Sequence, residues 1–428
     1  MSIRQNFPTT PPSLVLDFAN SKTLDPRITF SRTTTATRVN ELGLIETVSA
    51  DVARFDHEYD ASTGAIKSLG LLIEESRVNY EIYTEDPTQW ITSNMVPTGN
   101  SITLPTGEVS TTIEYRGETT DPNSKLIRPL PTNAGVVAGE TWCFSIFLKA
   151  GTEDTVNINL TNNTATEGVR VNSFNMLTGE DSGIVEFGGT TNGEFNAVSY
   201  PNEWWRISIR STYSLNAPGQ QTLIRLKGFS NQVTETTSFS AWGAQLEKAP
   251  FPTSYIPNGT DSTATRNPDN VSMEGDNFSD WYNQSEGTFL LKSAMANPGN
   301  GQNQFLIRAS NNTYSNAVGI FDGGNGTASI SVTVDGLFQG LTGSINTVQK
   351  NSLFVVCSAY KFNDLALTLN SNLIAVDDSA PIPTDLNRFD IGKDHANATA
   401  NGLDAGTISQ IVYYPTRLSN DQLQNLTK

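Results

Sequence analysis

Histidine and cysteine are nearly absent from this sequence, which has two of each among 428 residues. With only His57 and His395 available, a Ser-His-Asp arrangement must use one of them, and neither follows a recognisable nucleophile motif. A zinc site is disfavoured for the same reason. Cys143 and Cys357 lie far apart in apolar, strand-like runs, so we expect two buried free thiols rather than a disulfide.

Basic residues and long apolar runs are also scarce. Lys and Arg number 27 against 44 Asp and Glu, a net charge of -17, which argues against a nucleic-acid partner held through its phosphates. No stretch of about 18 apolar residues suggests membrane insertion. The start, residues 1–8, lacks the apolar segment of a signal peptide. Together with two free thiols in place of a disulfide, this leads us to expect folding in a reducing cytoplasm.

Turn-forming residues are plentiful, with 33 Gly and 20 Pro beside many Thr, Ser and Asn. Between the turns, apolar and polar residues alternate with the period of two that is typical of half-buried strands, most clearly over 142–149, 155–160 and 204–210. The pattern predicts an all-β protein. One helix is predicted near residue 420, opened by a Ser or Asn cap.

The chain is long enough for several domains. We predict a small β-rich N-terminal attachment region over 1–85, an antiparallel β-sandwich of the jelly-roll type over 86–256, a linker over 257–276 and a second sandwich over 277–428. The linker assignment rests on the turn-rich stretch that begins at Ile256. A near-repeat, Thr34–Arg38 and Ser262–Arg266, lies at two section edges, where a shared junction role and coincidence are both open.

Candidate catalytic groups are sparse, and we predict no catalytic residue. His57 and His395 are interpreted as surface or loop histidines. The densest late carboxylate cluster, Asp377, Asp378, Asp390 and Asp394, is interpreted as solvated loop residues. These oxygens leave a calcium site open, although no calcium-loop spacing is visible, and the metal content stays unknown. The glycines at 323–326 predict a turn rather than a phosphate loop.

Aromatic side chains are better candidates for a binding role, because the apolar faces of sugars stack on flat rings. Trp142 and Trp242 lie in alternating strands and are predicted to be core residues. Trp204 and Trp205 are adjacent, so their side chains must point to opposite faces of one strand. We select Trp205, Trp281 and Tyr282 as candidate glycan-binding residues. Trp281 and Tyr282 lie near a section edge, so packing of one domain against another is the alternative for these two.

Several motifs carry a resemblance to known proteins. The segments Leu16–Phe18, Thr34–Asn40, Gly43–Glu46, Ala53–Asp56 and Gly70–Arg77 resemble a stretch of bacteriophage virion proteins of the tail-fibre or appendage type, in particular from cyanophage-like marine phages. Trp204–Ser208, Ala241–Glu247 and Pro252–Pro257 look like the jelly roll of carbohydrate-binding modules found in the same proteins. Glu286–Phe289 and Ile411–Pro415 are similar to concanavalin A or laminin-G sandwiches.

The resemblance implies a non-catalytic virion protein, a tail fibre or tail-associated adhesin that binds host surface glycans. It implies other virion proteins as partners, location in the virion and assembly in the host cytoplasm. Weak glycan contacts gain avidity in a symmetric assembly, and we expect a homotrimer. A capsid-decorating or tail-scaffold protein is the alternative, and a glycan-degrading enzyme is the third hypothesis.

Overall fold

The computed structural model describes residues 7–117, 126–131, 135–226, 237–340, 347–372, 374–395 and 402–428. Antiparallel strands dominate these ranges, which confirms the predicted all-β class. Residues 1–6, which belong to the start where the sequence predicts no signal peptide, lie outside the described ranges. Within the same ranges, no helix is long and apolar enough to cross a membrane.

The strands are numbered in chain order: β1 (Leu14–Asp17), β2 (Thr29–Ser31), β3 (Ala36–Val39), β4 (Ile45–Val48), β5 (Phe55–Asp60), β6 (Ala65–Glu74), β7 (Arg77–Asn79), β8 (Glu81–Ile82), β9 (Ile91–Ser93), β10 (Met95–Pro97), β11 (Ile102–Thr103), β12 (Val109–Ser110), β13 (Glu114–Gly117), β14 (Leu126–Arg128), β15 (Leu130–Pro131), β16 (Thr141–Ala150), β17 (Thr155–Asn162), β18 (Gly168–Asn175), β19 (Ile184–Phe187), β20 (Thr191–Tyr200), β21 (Trp204–Thr212), β22 (Gln220–Leu226), β23 (Ser238–Glu247), β24 (Ala264–Arg266), β25 (Asn270–Glu274), β26 (Glu286–Met295), β27 (Gln304–Ser310), β28 (Ala317–Asp322), β29 (Ala328–Val334), β30 (Leu337–Phe338), β31 (Phe354–Lys361), β32 (Leu365–Leu369), β33 (Ala375–Asp377), β34 (Arg388–Ile391) and β35 (Ala405–Tyr414). The helices are α1 (Phe18–Ser21), α2 (Asp276–Ser279) and α3 (Asn420–Leu426), and single 3-10 turns cover Pro87–Gln89 and Pro201–Glu203.

Two six-stranded sheets form the first sandwich. One has the order β10-β13-β23-β16-β21-β20 and the other β19-β18-β17-β22-β14-β9. Alternate residues of β16, from Trp142 to Leu148, pack into the core between the sheets, as the period of two predicts. The strands of this sandwich come from one continuous part of the chain, close to the predicted 86–256.

The second sandwich combines distant parts of the chain. Its first sheet runs β33-β32-β31-β26-β35-β6-β5, with β1 also paired to β35, and its second runs β2-β25-β34-β27-β28-β29-β30. Leu14 pairs with Tyr413, and Leu71 pairs with Ile408. All four side chains lie in the same core as Phe289.

The structure corrects the predicted division of the chain at two points. Residues 1–85 do not stand apart as an attachment region, because β1, β2, β5 and β6 complete the sheets of the second sandwich. The predicted linker 257–276 contains β24 and β25, and Val271 and Met273 of β25 are core residues. These pairings join positions remote in sequence, which a local pattern does not reveal.

The hairpin of β3 and β4 packs against the first sandwich. Ile45 of β4 shares an apolar cluster with Phe147, Trp204 and Trp242 on the outer face of the β16 sheet. Strand β16 is therefore buried on both faces, and the N-terminal segment joins the two sandwiches.

Helix α3 covers the outer face of the β26–β35 sheet. Its N-cap is Ser419, whose hydroxyl accepts the backbone N–H of Gln422 while the Gln422 side chain accepts the Ser419 N–H. Leu423 is fully buried on this face together with Cys357. The helix and cap predicted from the sequence are confirmed.

Candidate functional site

A cleft of ≈ 340 Å³ lies between the two sandwiches. Strand β5 and the β3–β4 hairpin line it from the N-terminal segment, and β20 and β21 line it from the first sandwich. The second sandwich contributes the loop that contains Lys350 and part of β35. The volume falls in the range of about 300–1,000 Å³ that is typical of ligand pockets.

Strand β5 places His57 at the cleft with 3% of the residue exposed. Nδ1 lies 3.0 Å from the carbonyl oxygen of Val39, so Nδ1 carries the proton and donates it. Burial lowers the pKa of the His57 ring, which is therefore neutral at pH 7. Its Nε2 is buried and has no hydrogen-bond partner among the described residues. A residue that lines the cleft thus holds a fixed hydrogen-bond acceptor that is not used within the described part of the protein.

Asp56 lies beside His57 on the same strand and also lines the cleft. One carboxylate oxygen accepts the backbone N–H of Val39 at 2.7 Å. Burial raises the pKa of Asp56 to about 6. The charge of the cleft therefore becomes less negative as the pH falls through this value.

Arg206 supplies a cation to the opposite wall. Its guanidinium lies 5.5 Å from the centre of the Phe147 ring, and Nη2 donates to Ser145 Oγ at 3.1 Å. Among the described residues, no carboxylate lies within ion-pair distance of Arg206. It can therefore donate to a ligand without first breaking an ion pair.

Glu194 connects the two sandwiches at the cleft. One carboxylate oxygen lies 2.6 Å from Arg210 Nη2 of the first sandwich, and the other lies 2.5 Å from Lys350 Nζ of the second. All three side chains are partly exposed. Such partly exposed pairs add little stability, but they form a contact between the two walls of the cleft.

A buried ionic network lies behind the cleft. Arg54 donates to Glu74 at 2.7 Å and to Asp269 at 2.6 Å, and Arg32 donates to Asp269 at 2.9 Å. Burial alone would raise the pKa of Glu74, but Arg266 and Arg54 together lower it to about 2. The network joins the N-terminal segment to the strands after residue 264, and one of its members, Glu74, also lines the cleft.

Both copies of the near-repeat lie at this junction. Thr37 of the first copy donates its hydroxyl to the Tyr255 carbonyl at 2.5 Å, and its own carbonyl accepts from Arg54. Arg266 of the second copy is 1% exposed, and its Nε lies 3.4 Å from Glu74. The positions of both copies fit a shared junction role, one of the two interpretations that the sequence left open.

A second depression of ≈ 520 Å³ adjoins the cleft and shares Tyr59 with it. Its other lining residues are Ser101, Ile102, Thr103, Lys149, Asn202 and Glu203. Lys149 Nζ donates to the Asn202 carbonyl at 2.7 Å and lies 3.2 Å from Glu203 Oε2. The surface of this depression is mostly polar, unlike that of the cleft.

The structure does not bring the three predicted glycan-binding residues together. Trp281 and Tyr282 are 3% and 8% exposed and lie in the core of the second sandwich, so their assignment as surface stacking residues is corrected. Their rings pack against the buried Phe278 and Tyr413. Trp205 lies in the first sandwich, half-buried against Phe174, and donates its indole N–H to the Met176 carbonyl.

The histidines also differ from prediction, because both are buried. His395 is 5% exposed and its ring packs edge-on against Tyr314, 4.2 Å away. The sequence did carry a signal for His57. It follows Phe55 at the alternating spacing of a strand that has one face in the core.

The late carboxylates separate into two pairs. Asp390 and Asp394 are each 1% exposed, and they bind Arg388 and Arg308. Their assignment to solvated loops is therefore wrong, because neighbouring arginines compensate their burial. Asp377 and the exposed Asp378 lie at the surface, as predicted.

The described residues contain no group of three or more His, Cys, Asp or Glu placed to hold a metal ion. The thiols of Cys143 and Cys357 are buried and free, which confirms their prediction. Burial raises the pKa of both thiols above its usual range. Neither is suited to act as a nucleophile at neutral pH.

The fold and site define a β-sandwich protein with a ligand-sized cleft at the junction of two sandwiches. No known family model matches the sequence, and no curated protein matches it significantly. Among solved structures, the chain is similar to CBM40 of the Ruminococcus gnavus IT-sialidase bound to α2,3-sialyllactose (19% identity, 33% of this chain, 82% of that chain, TM-score 0.30). It is also similar to the NanB sialidase of Streptococcus pneumoniae (14% identity, 36% of this chain, 26% of that chain, TM-score 0.31) and to the SAP-like pentraxin of Limulus polyphemus (11% identity, 33% of this chain, 70% of that chain, TM-score 0.25). Likeness at this level identifies no function.

Proposed function

We propose that this chain is a non-catalytic glycan-binding protein and that the glycan occupies the cleft between the two sandwiches. The observation that carries the proposal is that His57, which lines the cleft, holds a buried acceptor, Nε2, without a hydrogen-bond partner among the described residues. A buried polar atom left without a hydrogen bond is unfavourable by about 1–3 kcal/mol. A ligand hydroxyl that donates to this nitrogen removes that penalty.

The other lining groups suit a sugar. Arg206 donates to ring or hydroxyl oxygens, and Asp56 accepts from hydroxyls. Tyr59 and Tyr200 offer flat apolar faces, on which the C–H faces of sugars pack. A small number of fixed polar groups in a partly apolar cleft is the usual composition of a site that orients one ligand.

We propose that this chain is a bacteriophage virion protein. It would be a tail fibre or tail-associated adhesin that binds host surface glycans. The sequence motifs around Leu16–Phe18 and Gly70–Arg77 support this assignment. A homotrimer would raise the avidity of weak glycan contacts. Antibody labelling of phage particles should mark the tail, whereas labelling of the capsid would favour the capsid-decorating alternative.

The variant His57→Asn tests the glycan site. The Asn amide can still donate to the Val39 carbonyl, as Nδ1 does, but it removes the acceptor at the position of Nε2. We expect affinity for the bound glycan to fall about tenfold, the effect of one hydrogen bond. The measurement is calorimetric titration with the best ligand from a glycan array, alongside thermal unfolding of each variant.

The matched control is His395→Asn, which changes the other buried histidine outside the cleft and should leave affinity unchanged. Equal affinity of wild type and His57→Asn would contradict the site. Absence of binding to every glycan on the array would contradict the function and favour a structural role in the virion. Release of reducing ends from a bound glycan would instead indicate an enzyme.

A further inference from the structure

We propose that the cleft and the second depression act as one groove, which takes an extended oligosaccharide chain rather than a single terminal sugar. The inference rests on the proposed glycan function and adds the form of the ligand. Its basis is Tyr59, which alone among the described residues lines both depressions. A ligand that extends from the cleft into the second depression must pass Tyr59.

The Tyr59 side chain is free to contact a ligand. It lies on β5, the edge strand of its sheet, and is partly exposed. Among the described residues, no hydrogen bond or ring contact ties it to another side chain. An aromatic ring at a groove wall without a structural contact is suited to stacking against a sugar face.

The second depression is held in shape before any ligand arrives. Lys149 binds the carbonyl of Asn202 and the carboxylate of Glu203, on the loop between β20 and β21. Asn202 and Glu203 both have left-handed backbone angles, with φ of 60° and 64°. Non-glycine residues seldom adopt this conformation, so the lysine contacts help to fix it. The loop therefore presents its polar groups in one arrangement.

The chemistry of the two depressions differs along the groove. The cleft offers His57 Nε2 as a buried acceptor and Arg206 as a donor, which fix one sugar unit. The second depression is polar, with the exposed Ser101 and Thr103 on its surface. Exposed hydroxyls add weaker contacts, which suits further units of a chain that is already anchored.

The experiment measures affinity against chain length. The full chain is titrated with malto-, manno- and chito-oligosaccharides of one to six units and is applied to an array that carries the same series beside branched glycans. For the sugar type that binds, affinity should rise about tenfold between one unit and four units and then level off. A rise of this size corresponds to contacts beyond the cleft.

Two variants, Tyr59→Ala and Ser101→Trp, assign that rise to the groove, and two further variants serve as controls. Tyr59→Ala should abolish the gain with length, so that the variant binds four units no more tightly than one unit. Tyr59→Phe should keep the gain, and Tyr314→Ala, which removes an exposed tyrosine between β27 and β28 and outside both depressions, should behave as wild type. Ser101→Trp, which fills the second depression, should reproduce the effect of Tyr59→Ala without touching β5.

The outcomes separate this inference from the proposed function. Equal affinity for one and six units, with binding still sensitive to His57→Asn, overturns the groove and leaves the cleft as a site for terminal sugars. A gain with length that survives both Tyr59→Ala and Ser101→Trp also overturns it. Absence of binding to every glycan contradicts the proposed function and therefore also contradicts the inference of an extended groove. Binding of an unstructured peptide at the same groove would overturn both.

Discussion

Glu81 is a carboxylic acid enclosed within the first sandwich. It is fully buried, and one oxygen accepts the Thr222 hydroxyl at 2.8 Å while the other has no partner among the described residues. Burial raises the pKa of Glu81 to about 8. The unfolded chain releases this proton near pH 4.3, so the folded state binds more protons between these two pH values. The contribution of Glu81 to stability is complete below about pH 4 and is lost as the pH rises through about 8.

Replacing Glu81 by Gln should stabilise the protein at alkaline pH. Gln keeps an acceptor for Thr222 and has no proton to lose. We expect the free energy of unfolding of the variant to exceed that of wild type by at least about 2 kcal/mol at pH 8.5, and by much less at pH 5. Urea unfolding at both pH values measures the difference. Glu180→Gln, at an exposed position, is the control, and a parallel pH dependence of wild type and Glu81→Gln would refute the prediction.

At the scale of the element, the junction between the sandwiches depends on paired buried charges rather than on apolar contact alone. The Arg54 side chain is fully buried between Glu74 and Asp269. Removing one member of such a network leaves an uncompensated charge in the interior. Because the pKa of Glu74 is lowered to about 2, its contribution to stability is present above about pH 4 and is lost as the pH falls toward 2.

We expect Arg54→Gln to lower the free energy of unfolding by about 3–5 kcal/mol. The comparison is Lys67→Gln, which removes the partner of Glu58 in an exposed pair 2.9 Å long and should change stability by less than about 1 kcal/mol. Chemical denaturation measures both variants. Losses of equal size would show that the Arg54 network adds no more to stability than a surface pair.

Individual elements followed from the sequence because their signals are local. Alternation predicted β16, β17 and β21, and the Ser419 cap predicted α3. The pairing of Leu14 with Tyr413 and the burial of Trp281 were not predicted, because both depend on contacts between residues remote in sequence. The aromatic character of Trp281 and Tyr282 did not distinguish a surface that stacks on sugars from a buried core. The cleft was not predicted because it is formed by segments of the chain that are distant in sequence. The sequence analysis considered His57, but it did not predict that its Nε2 is a buried acceptor.

At the scale of the whole molecule, the second sandwich is not encoded by the last part of the chain alone. Strands β1, β5 and β6 extend its first sheet, and β2 and β25 form the edge of its second. Phe18, Phe55 and Ile73 from the first part of the chain lie in its core. The predicted unit 277–428 therefore lacks part of both sheets.

A fragment that spans 277–428 should not fold on its own. Without the missing strands, β35 and β34 have unpaired edges and the core is open to water. We expect broad, non-cooperative unfolding by circular dichroism and binding of a hydrophobic dye, whereas the full chain should unfold cooperatively. A sharp unfolding transition of the fragment would contradict the prediction.

The pairing of β1 with β35 also sets an order of events during synthesis. During synthesis β1 is made before the strands of the first sandwich, and its partner strand β35 follows only after that sandwich and most of the second sandwich have been made. The first sandwich, whose strands are contiguous, can fold in the meantime, since contacts close in sequence form sooner. The N-terminal strands remain unpaired during that interval. A stalled or truncated chain therefore exposes apolar β-strands, which promote aggregation.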